Sequence, residues 1–458
     1  MPDISRRRLL ELSAVTTTAL ALAPGRLLAA DPAFTWRNWA NNLYAEPNSV
    51  AAPETEQAIV ELMARGSGEI RPIGSGHSWS PLVPTEGDMI TLDGLMGVIS
   101  HDPDTLQAEV WAGTKLFLLG PMLESVGQAV LNMSDINYQS LAGAIATSTH
   151  GTGKDLGCMS AFVEGLRLVT PSGEVIDCNR ENNGDLLRAA VTSMGALGVI
   201  TRIRLQNQAA HRLHQREWLT PTDEVYDQIE QLAADNQQFE LFPIPNCNRT
   251  IVVVTNEAEP GAPDQIVDEP YGVLTLRDAF NATRWIPGLD DFVYNTALDL
   301  AYGEPKDRIG PSYQVLAHPR VVPFAEMEYT VPAEQGIECL REVMAAIAEK
   351  APDVAFPLEY RYIKGDDSLI GMFSGQDGCA ISVHQFMDEP NWEDYLAAIE
   401  PVFHKYRGRP HWGKWHSMGP KQLKGLYPNW GEFMRIRKEL DPTGRMLNPY
   451  MRELFGLS

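Results

Sequence analysis

The chain has 458 residues, of which 44% are hydrophobic and 21% charged, and its formal net charge is −23. This composition is typical of a globular protein with ample apolar material for a core, and the length favours roughly two to three domains. The negative charge disfavours nucleic acid and anionic membranes as partners. The five cysteines include no Cys-x-x-Cys pair and no zinc-type cluster, so we predict no metal site, and their spacing selects no disulfide.

Residues 1–30 have the order of an export signal. "SRRRLLEL" gives a basic start, "LSAVTTTALALA" an apolar stretch, and "PGRLLAADPA" small residues for cleavage near Ala30. The apolar stretch is too short to span a bilayer, and Arg6 and Arg7 indicate the Tat route. We therefore expect a periplasmic or secreted protein that begins near Asp31, uses the Tat export machinery and has no stable membrane insertion. The alternative is a frayed helix that begins with basic residues.

Residues 31–210 predict interleaved helices and strands without a long parallel series. The first elements are an amphipathic helix with Ile59, Leu62 and Met63 on one side, and a strand followed by a glycine turn in "EIRPIGSGHSW". Two strands, a turn, a further strand and a helix follow in 88–127. The last elements are a small-residue loop in "LAGAIATSTHGTG", a hairpin in "FVEGLRLVTPSGEVIDCN", and a helix, turn and strand in "ENNGDLLRAAVTSMGALGVITRIRLQN".

The pattern changes near residue 211. Longer helical stretches, "PTDEVYDQIEQLAADNQQ" and "PAEQGIECLREVMAAIAEKA", alternate with the strands "RTIVVVTN", "FAEMEYTVP" and "CAISVHQF". This indicates a second α+β domain on a largely antiparallel sheet. Glu326 and Glu328 alternate in the second of these strands. We interpret them as its outer face, although paired carboxylates also suit general acid and base chemistry.

The glycine turn carries a histidine in an unusual place, since "RPIGSGHSWSPL" puts His77 directly after Gly-Ser-Gly. A dinucleotide-binding Gly-x-Gly-x-x-Gly motif would need a third glycine where Trp79 stands. Glycines still let backbone N–H groups approach a diphosphate, and a neutral imidazole can bond to an electrophilic carbon. Taken alone, the turn equally fits a histidine that only hydrogen-bonds its own loop.

Glu359 and Arg361 lie two positions apart in a predicted strand, which puts both side chains on one face. Arg361 would then bind a substrate oxygen or a cofactor, and Glu359 would hold a substrate hydroxyl or orient Arg361. The alternative is an ion pair on a surface sheet. Lys414, in "HWGK", would either stabilise alkoxide character or, with a depressed pKa, accept a proton; the alternative is a solvated lysine.

Four motifs in order carry a resemblance to a known family. They are "IGSGHSW", "QSLAGAIATSTHGTG", "LEYRYIKGDD", and "RPHWGKWH" with the C-terminal run after it. The chain resembles the vanillyl-alcohol-oxidase-type flavoproteins, and among them the sugar-1,4-lactone oxidase and alditol oxidase branch. The resemblance implies an α+β flavoprotein with an FAD-binding domain of the PCMH type at 31–210, a substrate (cap) domain with a large antiparallel sheet at 211–430, and a segment at 431–458 that returns to the FAD domain.

The activity implied by the resemblance is oxidation of an alcohol group of a sugar-1,4-lactone, of the D-arabinono- or L-gulono-1,4-lactone type. Hydride would pass to FAD, and oxygen would reoxidise it. Three alternatives stay open. They are an alditol or polyol oxidase, a periplasmic dehydrogenase that uses a cytochrome or quinone acceptor, and a non-catalytic flavin- or sugar-binding protein.

The resemblance also assigns site residues by position. Glu359, Arg361 and Lys414 match catalytic positions, while Ser134 and His384 match substrate-binding positions. The positions that match FAD-binding residues, with His77 as the covalent attachment, are Gly74, Ser75, Gly76, His77, Ser78, Ser140, Gly143, Thr147, Ser148, Thr149, His150, Gly151, Val199 and His411.

One departure from the pattern concerns the substrate. Alditol oxidases resemble His-Phe-Thr where this chain has His384-Gln385-Phe386, so an aromatic ring replaces a hydroxyl. A linear polyol substrate is therefore less favoured, and a cyclic lactone or another alcohol more so.

Overall fold

The computed structural model describes residues 28–29, 34–268, 272–283 and 290–457. Arg6, Arg7 and the expected cleavage site near Ala30 lie outside these ranges, so the export signal stays a prediction. Within the described part of the chain, no helix is both long and apolar enough to cross a membrane.

The first half of the chain consists of short strands and helices. Its strands, in chain order, are β1 (Leu28–Ala29), β2 (Trp36–Arg37), β3 (Tyr44–Ala45), β4 (Ser49–Ala51), β5 (Ile70–Ile73), β6 (Asp88–Thr91), β7 (Val98–Asp102), β8 (Gln107–Trp111), β9 (Gln128–Val130), β10 (Val163–Val169), β11 (Val175–Asn179) and β12 (Val199–Ala209). Its helices are α1 (Glu56–Arg65), α2 (Leu116–Glu124), α3 (Leu141–Ala146) and α4 (Gly184–Ala190).

Two main sheets organise these strands. In the order β1-β4-β6-β5, the strands β4, β6 and β5 run parallel, whereas β1 pairs antiparallel at the edge. The other sheet is antiparallel in the order β11-β10-β12-β8-β7, with β9 paired to the end of β12. The glycine loop of residues 74–78 leaves the carboxyl end of β5, which is where parallel sheets commonly present ligand-binding backbone.

The second half is built on longer strands and helices. Its strands are β13 (Arg212–Thr220), β14 (Gln238–Ile244), β15 (Arg249–Glu257), β16 (Lys306–Pro311), β17 (Phe324–Pro332), β18 (Glu359–Ile363), β19 (Gly378–Phe386) and β20 (Arg409–Pro410). Its helices are α5 (Thr222–Tyr226), α6 (Ile229–Asp235), α7 (Gly272–Thr283), α8 (Asp290–Tyr302), α9 (Ser312–Val315), α10 (Gly336–Lys350), α11 (Trp392–Lys405), α12 (Pro420–Leu426), α13 (Trp430–Leu440) and α14 (Pro449–Leu454).

The strands of the second half form one antiparallel sheet, in the order β16-β13-β15-β14-β18-β19-β17-β20. The predicted large antiparallel sheet is therefore confirmed. Its β17–β19 region is covered on both faces. Tyr329 of β17 stacks on Phe403 of α11 with ring centroids 4.9 Å apart, whereas Glu326 of the same strand lines a cavity on the opposite face. Alternation along a strand thus separates an apolar core face from a cavity face.

Backbone and side-chain contacts join the two halves. The backbone N–H of Trp79 donates to the carbonyl of Gly413 at 2.7 Å, which joins the glycine loop to the "HWGK" segment. Near the C-terminus, Arg445 donates to the carbonyl of Gly68 at 2.9 Å, and Asn448 donates to that of Pro81, also at 2.9 Å. The C-terminal segment therefore packs against the first half. The predicted domain boundaries at 210 and 430 stay predictions.

Two predicted elements differ from the structure. The stretch "PTDEVYDQIEQLAADNQQ" forms two short helices, α5 and α6, rather than one. The small-residue loop after residue 140 begins as helix α3, because the side chain of Ser140 caps it by accepting from the backbone N–H of Gly143. The amphipathic helix α1 is as predicted, with Ile59 and Met63 buried.

Candidate active site

A cavity of about 560 Å³ lies between the glycine loop and the eight-stranded sheet. His77 and Ser78 line it from the first half, and Glu359, Arg361 and Lys414 line it from the second. A narrower cavity of about 120 Å³ adjoins it, since both are lined by His77 and Ser78. The structure thus brings the three predicted catalytic residues to the same space as the glycine loop.

The glycines of the loop are required by its geometry. Gly76 has a φ of +69°, which L-residues other than glycine rarely adopt. A Cβ at Gly74 would lie 2.5 Å from the hydroxyl oxygen of Ser140, so the loop and the start of α3 approach each other too closely for a side chain. Both glycines line the narrower cavity, where exposed backbone could contact a bound diphosphate.

The ring of His77 is held by packing rather than by hydrogen bonds. It stacks on Trp39 with centroids 5.5 Å apart and on Tyr138 at 6.3 Å, and its Nδ1 has no hydrogen-bond partner among the residues that the structure describes. Burial and the positive charge of Lys115 lower the pKa of His77 to about 4. The imidazole is therefore neutral near pH 7, and the structure does not support the simpler interpretation of His77 as a loop hydrogen-bonder.

Most of the residues assigned to FAD by position line these cavities. Those in the narrower cavity are Gly74, Ser75, Gly76, His77, Ser78, Ser140, Gly143, Thr147 and Val199. Thr149, His150 and His411 line the larger cavity. Ser148 and Gly151 line neither: the Ser148 hydroxyl accepts from the backbone N–H of Met372 at 3.3 Å, and Gly151 packs against Asn132.

The predicted pair on β18 forms an ion pair inside the cavity. A guanidinium nitrogen of Arg361 lies 2.9 Å from a carboxylate oxygen of Glu359 and 3.4 Å from one of Glu328. The Arg361 side chain is only 7% exposed. Burial alone would lower the pKa of Arg361, but Glu359 and Glu328 outweigh burial and raise it. This pair is therefore not the surface ion pair that the sequence left open.

The position of Glu326 and Glu328 corrects the sequence interpretation. Both side chains are almost fully buried, at 4% and 0% exposed, and the ammonium of Lys414 contacts both carboxylates. Burial lowers the pKa of Lys414, but these two carboxylates outweigh burial and raise it. The sequence left open a depressed Lys414 pKa, and that expectation is therefore wrong. Lys414 is also not a solvated lysine, because its ammonium contacts two buried carboxylates at the cavity wall.

Glu328 connects most of this cluster. One carboxylate oxygen lies 2.6 Å from Nε2 of His150, and the other accepts from the hydroxyl of Ser382 at 2.8 Å. Burial raises the pKa of Glu328, but Lys414 and His150 outweigh burial and hold it well below its usual range. The positive charges of Arg361 and Lys414 are therefore held in place by the ionised carboxylates of Glu326 and Glu328.

His411, in contrast to these charged groups, is neutral. Its Nδ1 accepts from the backbone N–H of Gly413 at 3.1 Å, so this nitrogen carries no proton. Burial lowers the pKa of His411 to about 3, against the raising effect of Glu328. His411 is a neutral imidazole at the cavity wall.

The two predicted substrate-binding residues also line the cavity. His384 donates from Nδ1 to the carbonyl of Pro357 at 2.9 Å, and its Nε2 lies 3.3 Å from Glu326. The hydroxyl of Ser134 donates to the carbonyl of Ile136 at 2.8 Å. Phe386, the aromatic departure, does not line the cavity; its ring packs on that of Phe356, which does, with centroids 4.7 Å apart.

Sequence reasoning missed a second polar group at the same cavity. Asp135 lies 2.6 Å from Nδ1 of His318 and forms an ion pair with Arg320. Burial raises the pKa of Asp135, but Arg320 and His318 outweigh burial and lower it. These residues come from loops distant in sequence and no local motif marks them. For Glu326 and Glu328 the one signal in the sequence was their alternation in a predicted strand, since paired carboxylates also suit general acid and base chemistry.

Ligating atoms of Glu326, Glu359 and His384 lie within 4.8 Å of one another, a spacing that also suits a metal ion. Lys414 and Arg361 contact these carboxylates and neutralise them. The predicted absence of a metal stays a prediction.

Comparison with known proteins identifies the family. The family model described as D-arabinono-1,4-lactone oxidase matches residues 203–454, and the model for an FAD binding domain matches residues 47–179. The chain belongs to the D-arabinono-1,4-lactone oxidase family. The family resemblance inferred from the four motifs is therefore confirmed, and FAD is its cofactor.

Relatives with known names align with this chain over nearly its whole length. The L-gulono-1,4-lactone dehydrogenase of Mycobacterium tuberculosis is 33% identical, covering 92% of this chain and 99% of that protein. The L-gulonolactone oxidase of Bos taurus is 27% identical, covering 92% and 98%. The alditol oxidase of a Streptomyces species is 25% identical, covering 91% and 98%.

The fold is also that of a solved flavoenzyme. Cholesterol oxidase from B. sterolicum superposes with a TM-score of 0.76 at 17% identity, covering 94% of this chain and 100% of that one. The predicted two-domain flavoprotein fold is thus confirmed. The site also fits FAD. Within the described part of the chain, the Ser75 hydroxyl and His77 Nδ1 are buried without hydrogen-bond partners, and Gly74 leaves no room for a side chain.

Proposed function

We propose that the protein oxidises an alcohol group of a sugar-1,4-lactone, of the D-arabinono- or L-gulono-1,4-lactone type, with FAD. The observation that carries this proposal is the convergence of Arg361 and Lys414 on a cavity that begins at the glycine loop. A protein that only binds a flavin or a sugar has no need for two buried cations held by three buried carboxylates, because such burial is costly. Family membership agrees with the same chemistry.

FAD, held by the glycine loop, would supply the acceptor for the hydride that leaves the alcohol carbon. The chain supplies the electrostatics for this step. Arg361 and Lys414 are cations at the cavity wall, where they stabilise negative charge that grows on the substrate oxygen. Glu359 orients the Arg361 guanidinium through their 2.9 Å contact. Since Lys414 is already protonated, it acts by charge and hydrogen bonding, and the hydroxyl proton would pass to a carboxylate at the same cavity wall, that of Glu359.

We further propose that His77 holds FAD covalently. Its neutral ring has an Nδ1 to which no described residue hydrogen-bonds, and stacking on Trp39 and Tyr138 fixes its orientation. A neutral imidazole is the nucleophilic form. Gly74, Ser75 and Gly76 would hold the diphosphate next to it through the backbone.

The electron acceptor is proposed to be oxygen. The second candidate is a dehydrogenase that uses a cytochrome or quinone. It is supported by the 33% identical relative from Mycobacterium tuberculosis, which is named a dehydrogenase. An alditol or polyol substrate is the other alternative, and the Streptomyces relative is named for it.

The deciding experiment is anaerobic bleaching of the flavin by L-gulono-1,4-lactone, D-arabinono-1,4-lactone, alditols and simple alcohols. Bleaching by a lactone supports the proposed substrate, whereas bleaching by alditols alone supports the alternative. Admission of air then separates the acceptors, because an oxidase regains its colour quickly and forms hydrogen peroxide. Unchanged flavin with every substrate would leave a binding protein as the function.

The protein is proposed to reach the periplasm, or to be secreted, through the Tat route. Arg6, Arg7 and the apolar stretch that follows support this. Changing both arginines to lysine should leave full-length precursor in the cytoplasm, whereas a double change of Lys421 and Lys424, which are exposed, to arginine should not. Normal delivery of the first variant would overturn the proposal.

A further inference from the structure

The cavity continues along the sheet beyond the charged cluster. Arg361 on β18 is opposite Glu240 on β14, and two positions further along β14 Phe242 is paired with Ile251 on β15. Phe242 and Ile251 both line the cavity. Because neighbouring strands are about 4.8 Å apart, β15 lies about 10 Å from β18, the strand that carries Glu359 and Arg361.

Other elements close this part of the cavity. Val273 and Leu276 of helix α7 line it, and Phe356 stacks on His384 at 5.1 Å, which joins it to the charged cluster. Leu276 is 3% exposed and packs in a cluster that includes residues of α8. We call Phe242, Ile251, Val273, Leu276 and Phe356 the apolar arm.

The apolar arm offers nothing to a sugar hydroxyl. Its five side chains carry neither charge nor a hydrogen-bonding group, and burying an unpaired hydroxyl against them would be unfavourable. The polar residues that line this part of the cavity belong to a different row of cross-strand pairs on the same face of the sheet. Glu217 of β13, paired with Lys306 of β16, is an example. A six-carbon sugar lactone carries oxygen on every carbon, so it has no apolar group to bury against the arm.

We propose that the apolar arm binds an uncharged apolar substituent of the substrate. The substrate is then amphipathic, with the reacting hydroxyl at Arg361 and Lys414 and an alkyl or ring group beyond Phe356. This inference rests on the proposed lactone oxidation, because it assigns a further part to the same substrate. Its physical basis is the continuity of an apolar wall with the catalytic cavity.

The test compares three compounds with the flavin-loaded enzyme. They are L-gulono-1,4-lactone, its 6-O-octanoyl ester, and 1-octanol, measured by anaerobic flavin reduction over a range of concentrations. Since each buried methylene is worth about a fourfold gain in affinity, we expect the ester to show a half-saturating concentration at least about tenfold lower than the parent lactone. The limiting rate of reduction should change little, because the reacting group is the same.

Phe242→Gln is the informative variant, since Phe242 is only half-buried and lines the arm. It should remove most of the advantage of the ester and leave the parent lactone unchanged. Phe292→Gln is the matched control, because Phe292 lies on α8 and is 70% exposed. If Phe242→Gln loses flavin, Val273→Asn on helix α7, which also lines the arm, makes the same test.

The outcomes separate this inference from the function on which it rests. Equal half-saturation by ester and parent, or an ester advantage that survives both arm variants, would overturn the apolar arm while leaving lactone oxidation intact. Reduction by 1-octanol but by neither lactone would support the arm and refute the lactone substrate. Failure of all three compounds would overturn both.

Discussion

The ammonium of Lys414 lies 2.5 Å from a carboxylate oxygen of Glu328, whose side chain has no exposure to solvent. The same carboxylate contacts Ser382, and its other oxygen contacts His150. One buried carboxylate therefore fixes the position and the charge of the lysine at the cavity wall. This contact predicts how substitutions in the cluster should change the charge of Lys414 and the rate of flavin reduction.

Glu328→Gln should lower the pKa of Lys414, because the Glu328 charge is one of three, with Glu326 and Glu359, that raise it. If catalysis needs the ammonium, the alkaline fall in the flavin reduction rate should move to lower pH. Stopped-flow reduction across a pH series measures this. Glu349→Gln, at an exposed residue, is the control. An unmoved alkaline limb in Glu328→Gln would show that the Lys414 charge does not limit reduction.

Arg361→Ala and Lys414→Ala should each slow flavin reduction by about a hundredfold to a thousandfold, because charge stabilisation in a buried site is lost. Both variants should retain FAD. Reduction is compared at matched flavin content by stopped-flow spectroscopy. Arg65→Ala and Lys424→Ala, at exposed positions, are the matched controls. Rates within a few-fold of the wild type for both cavity variants would put the chemistry elsewhere.

Acid precipitation of the purified protein should leave yellow flavin in the pellet, and His77→Ala should release it. The reason is the proposed bond to the neutral His77 ring. Mass spectrometry of the His77 peptide measures the added flavin directly, and His101→Ala, at an exposed histidine, should keep it. An unmodified His77 peptide from active enzyme would refute covalent attachment.

Gly74→Ala should reduce bound FAD, because the new Cβ would lie 2.5 Å from the Ser140 hydroxyl and force the loop away from α3. Gly68→Ala is the matched control, since, apart from its chain neighbours, no atom of the described residues lies within 4 Å of a Cβ there. The ratio of flavin to protein absorbance measures occupancy. Full occupancy in Gly74→Ala would mean that this close approach does not shape the cofactor site.

His411 should make the folded protein sensitive to acid. Burial lowers its pKa from 6.5 to about 3, so on acidification the unfolded chain binds a proton there first. This contribution is fully present above pH 6.5 and is lost as pH falls toward 3, at up to about 1.4 kcal/mol per pH unit. Thermal midpoints between about pH 7.5 and about pH 5 should therefore fall less in His411→Asn than in the wild type or in His101→Asn. Equal falls in all three proteins would contradict this.

The sequence determined the local features of the site. A period of two places Glu359 and Arg361 on one strand face in any sheet, and a glycine turn after a strand brings His77 to a strand end. Four of the strands of the second half, β15, β17, β18 and β19, were also predicted from the sequence, and the four motifs identified the family. These features depend on neighbours in the chain, which a single sequence displays.

The tertiary structure alone decided which faces turn toward the cavity. Glu326 and Glu328 alternate as residues of a solvated strand would, and only the packing of the first half over the sheet converts that face into a buried wall. Asp135, His318 and Arg320 likewise meet only through the fold. Alternation states which side chains share a face, but the burial of that face depends on what the rest of the chain places over it.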